Sequence, residues 1–205
     1  MRPKPGFFRR MKIYTSEMFP ISPRLFLAAL LYLSSVAFLG RIHNAEIPFF
    51  SIATPIGIWS VFALLFILRM MDELKDLKID RELFPHRPIA SGRVLESDLH
   101  FMLCAVIVLY LAANLLILES FWMAVAVLGY AGLMFRFFFI PQILRKYLLL
   151  NLITHNPIAP ILLFYILVLS SAVQTWPLSS LAWKPVLLFI LGSWSPLLAW
   201  EIARK

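Results

Sequence analysis

Long apolar runs alternate with short polar segments along this chain, and their lengths predict membrane-spanning helices. A hydrocarbon core of about 30 Å is crossed by about 20 apolar residues in a helix. Six runs approach this length, at about residues 21–40, 49–68, 101–118, 121–139, 148–173 and 183–200. The pattern predicts an all-α, polytopic integral membrane bundle of about six transmembrane helices spanning residues 21–205, preceded by a basic interfacial segment, residues 1–20.

Charged residues concentrate between the second and third runs, in a predicted loop at 69–100. Residues 71–94 alone hold five acidic and six basic or imidazole side chains. Ionisable side chains within a membrane are costly and usually functional, so a dense polar group at the edge of the apolar runs is a candidate site. We therefore expect the chemistry of this protein to lie in this loop.

Composition and charge support the membrane assignment. The chain is 61% hydrophobic and carries a net charge of +8. With a cytoplasmic N-terminus, 17 of the 19 Lys and Arg residues fall on the cytoplasmic side, all but Arg41 and Lys184. This distribution obeys the positive-inside rule. It predicts a multi-pass protein with its N-terminus and acidic loop in the cytoplasm, whose basic residues meet the lipid bilayer and not nucleic acid.

The acids of the loop are spaced so that a helix would align them. Asp72, Asp76 and Asp80 stand at i, i+4 and i+8, which places them in one stripe, with Glu73 beside its start. Two interpretations remain open. The acids can pair with basic residues three or four positions away on the same helix. Alternatively, they are hard oxygen ligands for Mg²⁺, which usually takes one or two carboxylates together with substrate phosphates.

A turn rich in basic residues follows the acids. Pro85 and Pro88 are expected to end the helix, and Gly92 permits a tight turn. Arg87 and Arg93 are thereby presented beside the carboxylates, where guanidinium groups can bind phosphate oxygens. The alternative is that both arginines anchor the loop at the membrane surface.

These residues resemble the first aspartate-rich motif of the UbiA-type intramembrane prenyltransferases, commonly NDxxDxxxD followed by a tail like RPxxSGR. Here the motif reads Asp72-Glu73-x-x-Asp76-x-x-x-Asp80, and the tail reads RPIASGR over residues 87–93. Asp72 stands where the family usually has Asn, and Glu73 where it usually has Asp. Both departures keep an oxygen ligand.

The resemblance implies Mg²⁺ as cofactor and transfer of a prenyl group from a prenyl diphosphate to an aromatic or other lipophilic acceptor. The implied metal ligands are Asp72, Glu73, Asp76 and Asp80. The implied catalytic residues are Asp72, Asp76, Asp80, Arg87 and Arg93. Arg87 and Arg93 would stabilise the leaving diphosphate.

Further polar positions are candidates for substrate binding. A second basic cluster follows the fourth apolar run and fits either the diphosphate or simple anchoring, and the polar run 151–156 fits either an acceptor pocket or helix packing. The substrate-binding candidates are Arg87, Ser91, Arg93, Arg136, Arg145, Lys146, Asn151, His155, Asn156 and Glu201. Gly129 and Gly132 are expected to allow close helix packing.

The family has about nine spans and a second acidic motif after the sixth, of which Glu201 matches only the beginning. The alternative hypothesis is therefore a catalytically incomplete fragment or split half, with a partner chain supplying the second motif. A transporter would need its acids within the spans, whereas seven of the eleven lie in the loop 69–100. A CDP-alcohol phosphotransferase motif begins with Asp-Gly, and that dipeptide does not occur here.

Overall fold

The structure is a computed structural model that describes residues 5–45, 52–176 and 183–203. Within these ranges the regular elements are helices and no strand is present. The helices are α1 (Phe7–Glu17), α2 (Ile21–His43), α3 (Ala53–Leu83), α4 (Glu96–Leu116), α5 (Phe121–Phe135), α6 (Pro141–Lys146), α7 (Leu148–His155), α8 (Ile158–Val173) and α9 (Trp183–Ala203).

Four segments among the described residues are long and apolar enough to cross a membrane. They are Ile21–His43, Ala53–Leu83, Glu96–Leu116 and Ile153–Val173, the last of which joins the end of α7 to α8. The prediction of an all-helical, membrane-spanning protein is therefore confirmed. The first three coincide with predicted spans, although residues 46–51, at the predicted start of the second, lie outside the described ranges.

The fourth predicted span is shorter than expected. Helix α5 has 15 residues and ends at Phe135, so it is about 22 Å long. Phe137, Phe138 and Phe139 then adopt φ values of 49°, 49° and 62°. This left-handed conformation is disfavoured for residues with a Cβ atom and cannot continue a right-handed helix. The fifth predicted span is also divided, because Asn156 and Pro157 separate α7 from α8.

Helix α3 is the centre of the bundle. It packs against α2, α4, α5 and α8. Its side chains Leu64 and Ile67 are fully buried together with three tyrosines of the neighbouring helices, Tyr32, Tyr110 and Tyr165. With 31 residues α3 is about 46 Å long, which exceeds the thickness of the hydrocarbon core. Its charged second half, from Arg69 onward, therefore extends past the apolar part of the bundle.

Helices α2 and α3 approach closely at Gly57. A Cβ atom on Gly57 would lie 2.5 Å from Cε2 of Tyr32, whose side chain is fully buried. Only glycine therefore allows this approach without a shift of the tyrosine. By contrast, a Cβ on Gly129 or Gly132 would meet no described atom within 4 Å. The prediction of close packing at those two glycines is wrong.

A neutral polar network lies inside the bundle, between α3, α4 and α8. The Asn114 amide donates to Ser60 Oγ over 2.9 Å. Ser60 and the Tyr165 hydroxyl are 2.8 Å apart, and Tyr165 donates to Asn114 Oδ1 over 2.9 Å. The donors and acceptors close a ring in which each hydroxyl gives one hydrogen and accepts another. Ser120, just before α5, adds a 2.6 Å hydrogen bond to Asn114 Oδ1.

Candidate functional site

The candidate site is at the acidic end of the bundle, which comprises the last turns of α3 from Arg69, the turn segment 84–95 and the first turn of α4. Amphipathic helix α1 packs against this end. Its buried Met11 and Tyr14 join an apolar cluster with Met70 and Leu77 of α3 and Leu99 of α4. The charged side chains are thus arranged around a small core of their own.

The predicted carboxylate stripe is present on α3, but its members do not converge on one point. The Asp72 side chain is 60% exposed, Asp76 is half-buried and Asp80 is buried. Successive members are one helical turn apart, about 6 Å along the axis. Across the part of the chain that the structure describes, no group of three or more His, Cys, Asp or Glu side chains could hold a metal ion.

Glu73 is withdrawn from the stripe by Arg69. The two side chains form an ion pair in which the Glu73 side chain is only 3% exposed, and Arg69 also lies 3.9 Å from Asp72. The Tyr14 hydroxyl of α1 and Arg69 Nε are buried nearby without a hydrogen-bond partner among the described residues. Burial raises the pKa of the Tyr14 phenol, and the neighbouring Glu73 carboxylate raises it further.

Asp80 and Arg87, both predicted as site residues, are brought together by the turn after α3. The Phe84 amide closes the helix by donating to the Asp80 carbonyl, and the Arg87 amide donates to the Phe84 carbonyl. The Arg87 guanidinium consequently donates to Asp80 Oδ2 over 2.6 Å and lies 4.3 Å from the centre of the Phe84 ring. Asp80 is buried as a charge-paired group.

Arg93 contacts α1 as well as its own turn. It donates to both carboxylate oxygens of Glu17, at 2.5 and 2.8 Å, and to the His86 carbonyl at 2.6 Å. Its Nε donates to Ser91 Oγ over 3.1 Å, so the predicted residues Ser91 and Arg93 do lie together. Hydrogen bonding from Arg93 lowers the pKa of Glu17. Gly92 supports this turn with a φ of 73°, which glycine adopts without strain.

A second pair between α1 and the acidic end was not predicted from sequence. Arg10 donates to the two Asp98 carboxylate oxygens over 2.6 and 2.7 Å. Asp98 also accepts the Leu95 amide over 3.0 Å, which satisfies a free donor at the start of α4. Asp98 is the third residue of α4, where an acid can be recognised from the sequence as a capping residue. Its pairing with Arg10 could not be recognised, because 88 residues separate the two.

On the other side of α3, Lys75 meets α7 and the turn after α5. The Lys75 ammonium is 2.9 Å from His155 Nε2 and 3.9 Å from the centre of the Phe137 ring. His155 Nδ1 lies 3.2 Å from Thr154 Oγ1, and Tyr130 of α5 donates to the Thr154 carbonyl over 2.7 Å. His155 was a predicted site residue, whereas Lys75 was considered only as an ion-pair partner for Asp72.

A pocket of about 30 Å³ adjoins this contact, between α3 and α5. Asp72 and Lys75 form its polar part, and its remaining walls are apolar, with Leu68 and Met71 from α3 and Phe135 from α5. A pocket with charged groups at one side and apolar walls elsewhere fits the junction of a polar head with an apolar chain.

The remaining predicted residues are dispersed. Arg136 is exposed at the end of α5, and Lys146 is exposed with its ammonium 5.4 Å from the Tyr147 ring centre. Asn156 accepts a long hydrogen bond of 3.4 Å from the Trp194 indole of α9. Arg145, Asn151 and Glu201 belong to the backbones of α6, α7 and α9, and their side chains lie outside the described part of the structure.

Comparisons with protein-family models, with curated proteins and with solved structures find no match to this chain. Fold and site together therefore define a class: an all-helical, membrane-spanning protein with a charged site at one end of its bundle.

Proposed function

We propose that this protein is a UbiA-type membrane prenyltransferase, which binds a prenyl diphosphate at the acidic end and transfers the prenyl group to a lipophilic acceptor. The observation that carries the proposal is the pocket between α3 and α5, where Asp72 and Lys75 meet apolar walls. A prenyl diphosphate has the matching form, a charged head on an apolar chain.

The proposal includes the predicted topology. Six spans, arranged with the N-terminus and the acidic end in the cytoplasm, keep 17 of the 19 basic residues on the cytoplasmic side, all but Arg41 and Lys184. In this arrangement the site faces the compartment that supplies soluble diphosphates and Mg²⁺.

The carboxylates at the acidic end differ in how accessible they are to a Mg²⁺ ion. Glu73 and Asp80 are buried, whereas the Asp72 side chain is 60% exposed and Asp76, one turn later, is half-buried. Mg²⁺ commonly takes one or two carboxylates and completes its shell with water and substrate phosphates. Asp72 and Asp76 would hold it together with the substrate. When bound, the ion would supply neutralising charge for the diphosphate.

The protein's own residues then have separate tasks. Arg87, which lies beside Asp80, would stabilise the negative charge that develops as the carbon–oxygen bond to the diphosphate breaks. The apolar walls contributed by Leu68 and Phe135 would keep water from the allylic cation. The acceptor forms the new bond to this carbon and releases a proton.

Binding of farnesyl diphosphate to the protein in lipid nanodiscs, with and without Mg²⁺, tests the proposal. We expect Mg²⁺-dependent binding that Asp72→Asn and Asp76→Asn each weaken by about tenfold or more, because each removes a charged ligand. Asp80→Asn should weaken it as well, because it releases Arg87 from its fixed position. Glu82→Gln is the matched control, since Glu82 is an exposed acid on α3 outside the stripe.

The outcomes separate the hypotheses. Equal affinity with and without Mg²⁺ would contradict the proposal. Equal affinity of the three Asp variants and the Glu82 control would leave the acids as surface ion-pair partners. Mg²⁺-dependent binding without transfer to any lipophilic acceptor would favour the catalytically incomplete form, completed by a partner chain.

A further inference from the structure

The contact between Lys75 and His155 has a geometry that anchoring at a membrane surface does not require. A lysine that only anchors a helix end extends its ammonium toward water. Lys75 is instead half-buried and reaches across from α3 to α7, where its ammonium meets the His155 ring and the Phe137 ring. These contacts hold a normally flexible side chain in one place.

The hydrogen bonds around His155 determine which of its nitrogens carries the proton. A lysine ammonium can only donate, so Nε2 of His155 is the acceptor in the 2.9 Å contact. The imidazole proton is then on Nδ1 and is donated to Thr154 Oγ1, 3.2 Å away. The Thr154 hydroxyl in turn donates to the Leu150 carbonyl over 2.9 Å. A neutral histidine, fixed in orientation by α7, thus positions Lys75.

Lys75 also lines the pocket between α3 and α5. The pocket is small, about 30 Å³, so it admits part of a polar head while an attached chain would lie along apolar side chains such as Met134. Asp72, which lines the same polar part of the pocket, repels an anion. Lys75 supplies the attraction that Asp72 does not.

We infer that Lys75, positioned by His155, is the cation that binds the phosphate of a phosphate-headed amphiphile in this pocket. The identity of the natural ligand as a prenyl diphosphate rests on the proposed function. The chemical class of ligand rests on the pocket alone. In this assignment Lys75 contacts the ligand, and His155 acts through Lys75 as a positioning residue.

The test uses the full chain in phosphatidylcholine nanodiscs and two probes, farnesyl diphosphate with Mg²⁺ and dodecyl phosphate with a chelator. Lys75→Gln keeps the side-chain length but removes the charge, and we expect it to weaken binding of both probes by about tenfold. Lys75→Arg keeps the charge, and because both side chains bind phosphate, its affinity should stay within about threefold of wild type. The matched control is Lys78→Gln, three residues later on α3 and exposed.

His155 is tested by substitution with and without an acceptor. His155→Gln keeps an oxygen that can accept from Lys75, and it should bind the probes nearly as wild type does. His155→Leu removes the acceptor and should weaken binding by about fivefold, a typical effect of one hydrogen bond. A purely structural role would instead make both variants lose thermal stability in parallel, with no recovery of affinity in His155→Gln.

The two proposals fail in different ways. If Lys75→Gln binds both probes as tightly as Lys78→Gln does, the role of Lys75 is overturned, whereas Mg²⁺- and Asp72-dependent binding would still support the proposed function. If dodecyl phosphate binding depends on Lys75 but farnesyl diphosphate binds equally well with and without Mg²⁺, the proposed function is overturned. The role of Lys75 would then still be supported. Wild-type protein that binds neither probe overturns both.

Discussion

Two polar clusters lie in this largely apolar protein, and they differ in charge and in access to water. The inner cluster of Ser60, Asn114 and Tyr165 is uncharged and fully buried, and its members satisfy one another. At the acidic end the side chains are charged, and pairs such as Asp80 with Arg87 keep one partner partly exposed. The inner cluster is suited to holding helices together. At the acidic end, a charged side chain can exchange its partner for a ligand.

The difference follows from the surroundings of each cluster. In the interior no water can replace a lost hydrogen-bond partner, so a broken network leaves polar atoms unsatisfied. At the acidic end water can solvate a released charge, which makes each pair worth less but easier to open. Equal numbers of hydrogen bonds should therefore contribute unequally to stability in the two regions.

The largest effect is expected at Asn114, the centre of the inner cluster. Asn114→Leu removes hydrogen bonds to Ser60, Ser120 and Tyr165. It should lower the free energy of unfolding by about 2 kcal/mol, because hydrogen bonds between membrane helices contribute about 0.6 kcal/mol each and the buried groups left without a partner add to the loss. Reversible unfolding in mixed micelles measures this. Cys104→Ala, at an exposed position of α4, is the control and should change little. A similar stability for both variants would remove the structural role of the inner cluster.

The elements that sequence predicted well are those decided by local pattern. An apolar run of about 20 residues has few alternatives to a spanning helix, so α2, α3 and α4 were predictable. The end of α5 was not, because hydropathy is the same for helical phenylalanines and for the left-handed Phe137, Phe138 and Phe139. The division between α7 and α8 differs, because Pro157 follows Asn156 and a proline is a local signal for a bend in a helix.

At the acidic end the stripe on α3 was predictable, because its spacing is a property of one helix. The contacts that the nearby charged residues make with other helices were not predictable. Glu17 meets Arg93 across 76 residues, and Lys75 meets His155 across 80. Such contacts depend on how whole helices pack, which no local pattern contains. Their consequence is functional: Arg93, predicted to bind phosphate, is engaged by Glu17 of α1.

A smaller effect is expected where α1 is held by charges. Arg10→Gln breaks the two hydrogen bonds to Asp98 and should lower the melting temperature by less than Asn114→Leu does. The Asp98 side chain is only 6% exposed, but it keeps the hydrogen bond from the Leu95 amide when Arg10 is replaced. The neighbouring Arg9 is exposed on the same helix, so Arg9→Gln is the matched control. Amide hydrogen exchange should accelerate in α1 for Arg10→Gln alone. Equal exchange in both variants would show that apolar packing by itself holds α1.

The smallest effect is expected at Glu17, and it should depend on pH. Hydrogen bonding from Arg93 lowers the pKa of Glu17 below its ordinary value of 4.5. A carboxyl group whose pKa is lower in the folded state stabilises that state above its unfolded pKa, and the stabilisation is lost as the pH falls through the folded pKa. Wild type should therefore be slightly more stable than Glu17→Gln at pH 7, and the difference should shrink below pH 4.5.

Melting curves of both proteins between pH 7 and pH 3 measure this difference, and Glu82→Gln, at an exposed acid of α3, serves as the control. A constant difference between wild type and Glu17→Gln across the range would mean that the contact with Arg93 contributes nothing in solution. Arg93 would then be as available to a ligand as the sequence predicted, and the acidic end would hold its charges more loosely than its hydrogen bonds indicate. The contrast with the inner cluster would be larger still, because one ion pair fewer at the acidic end would then contribute to stability.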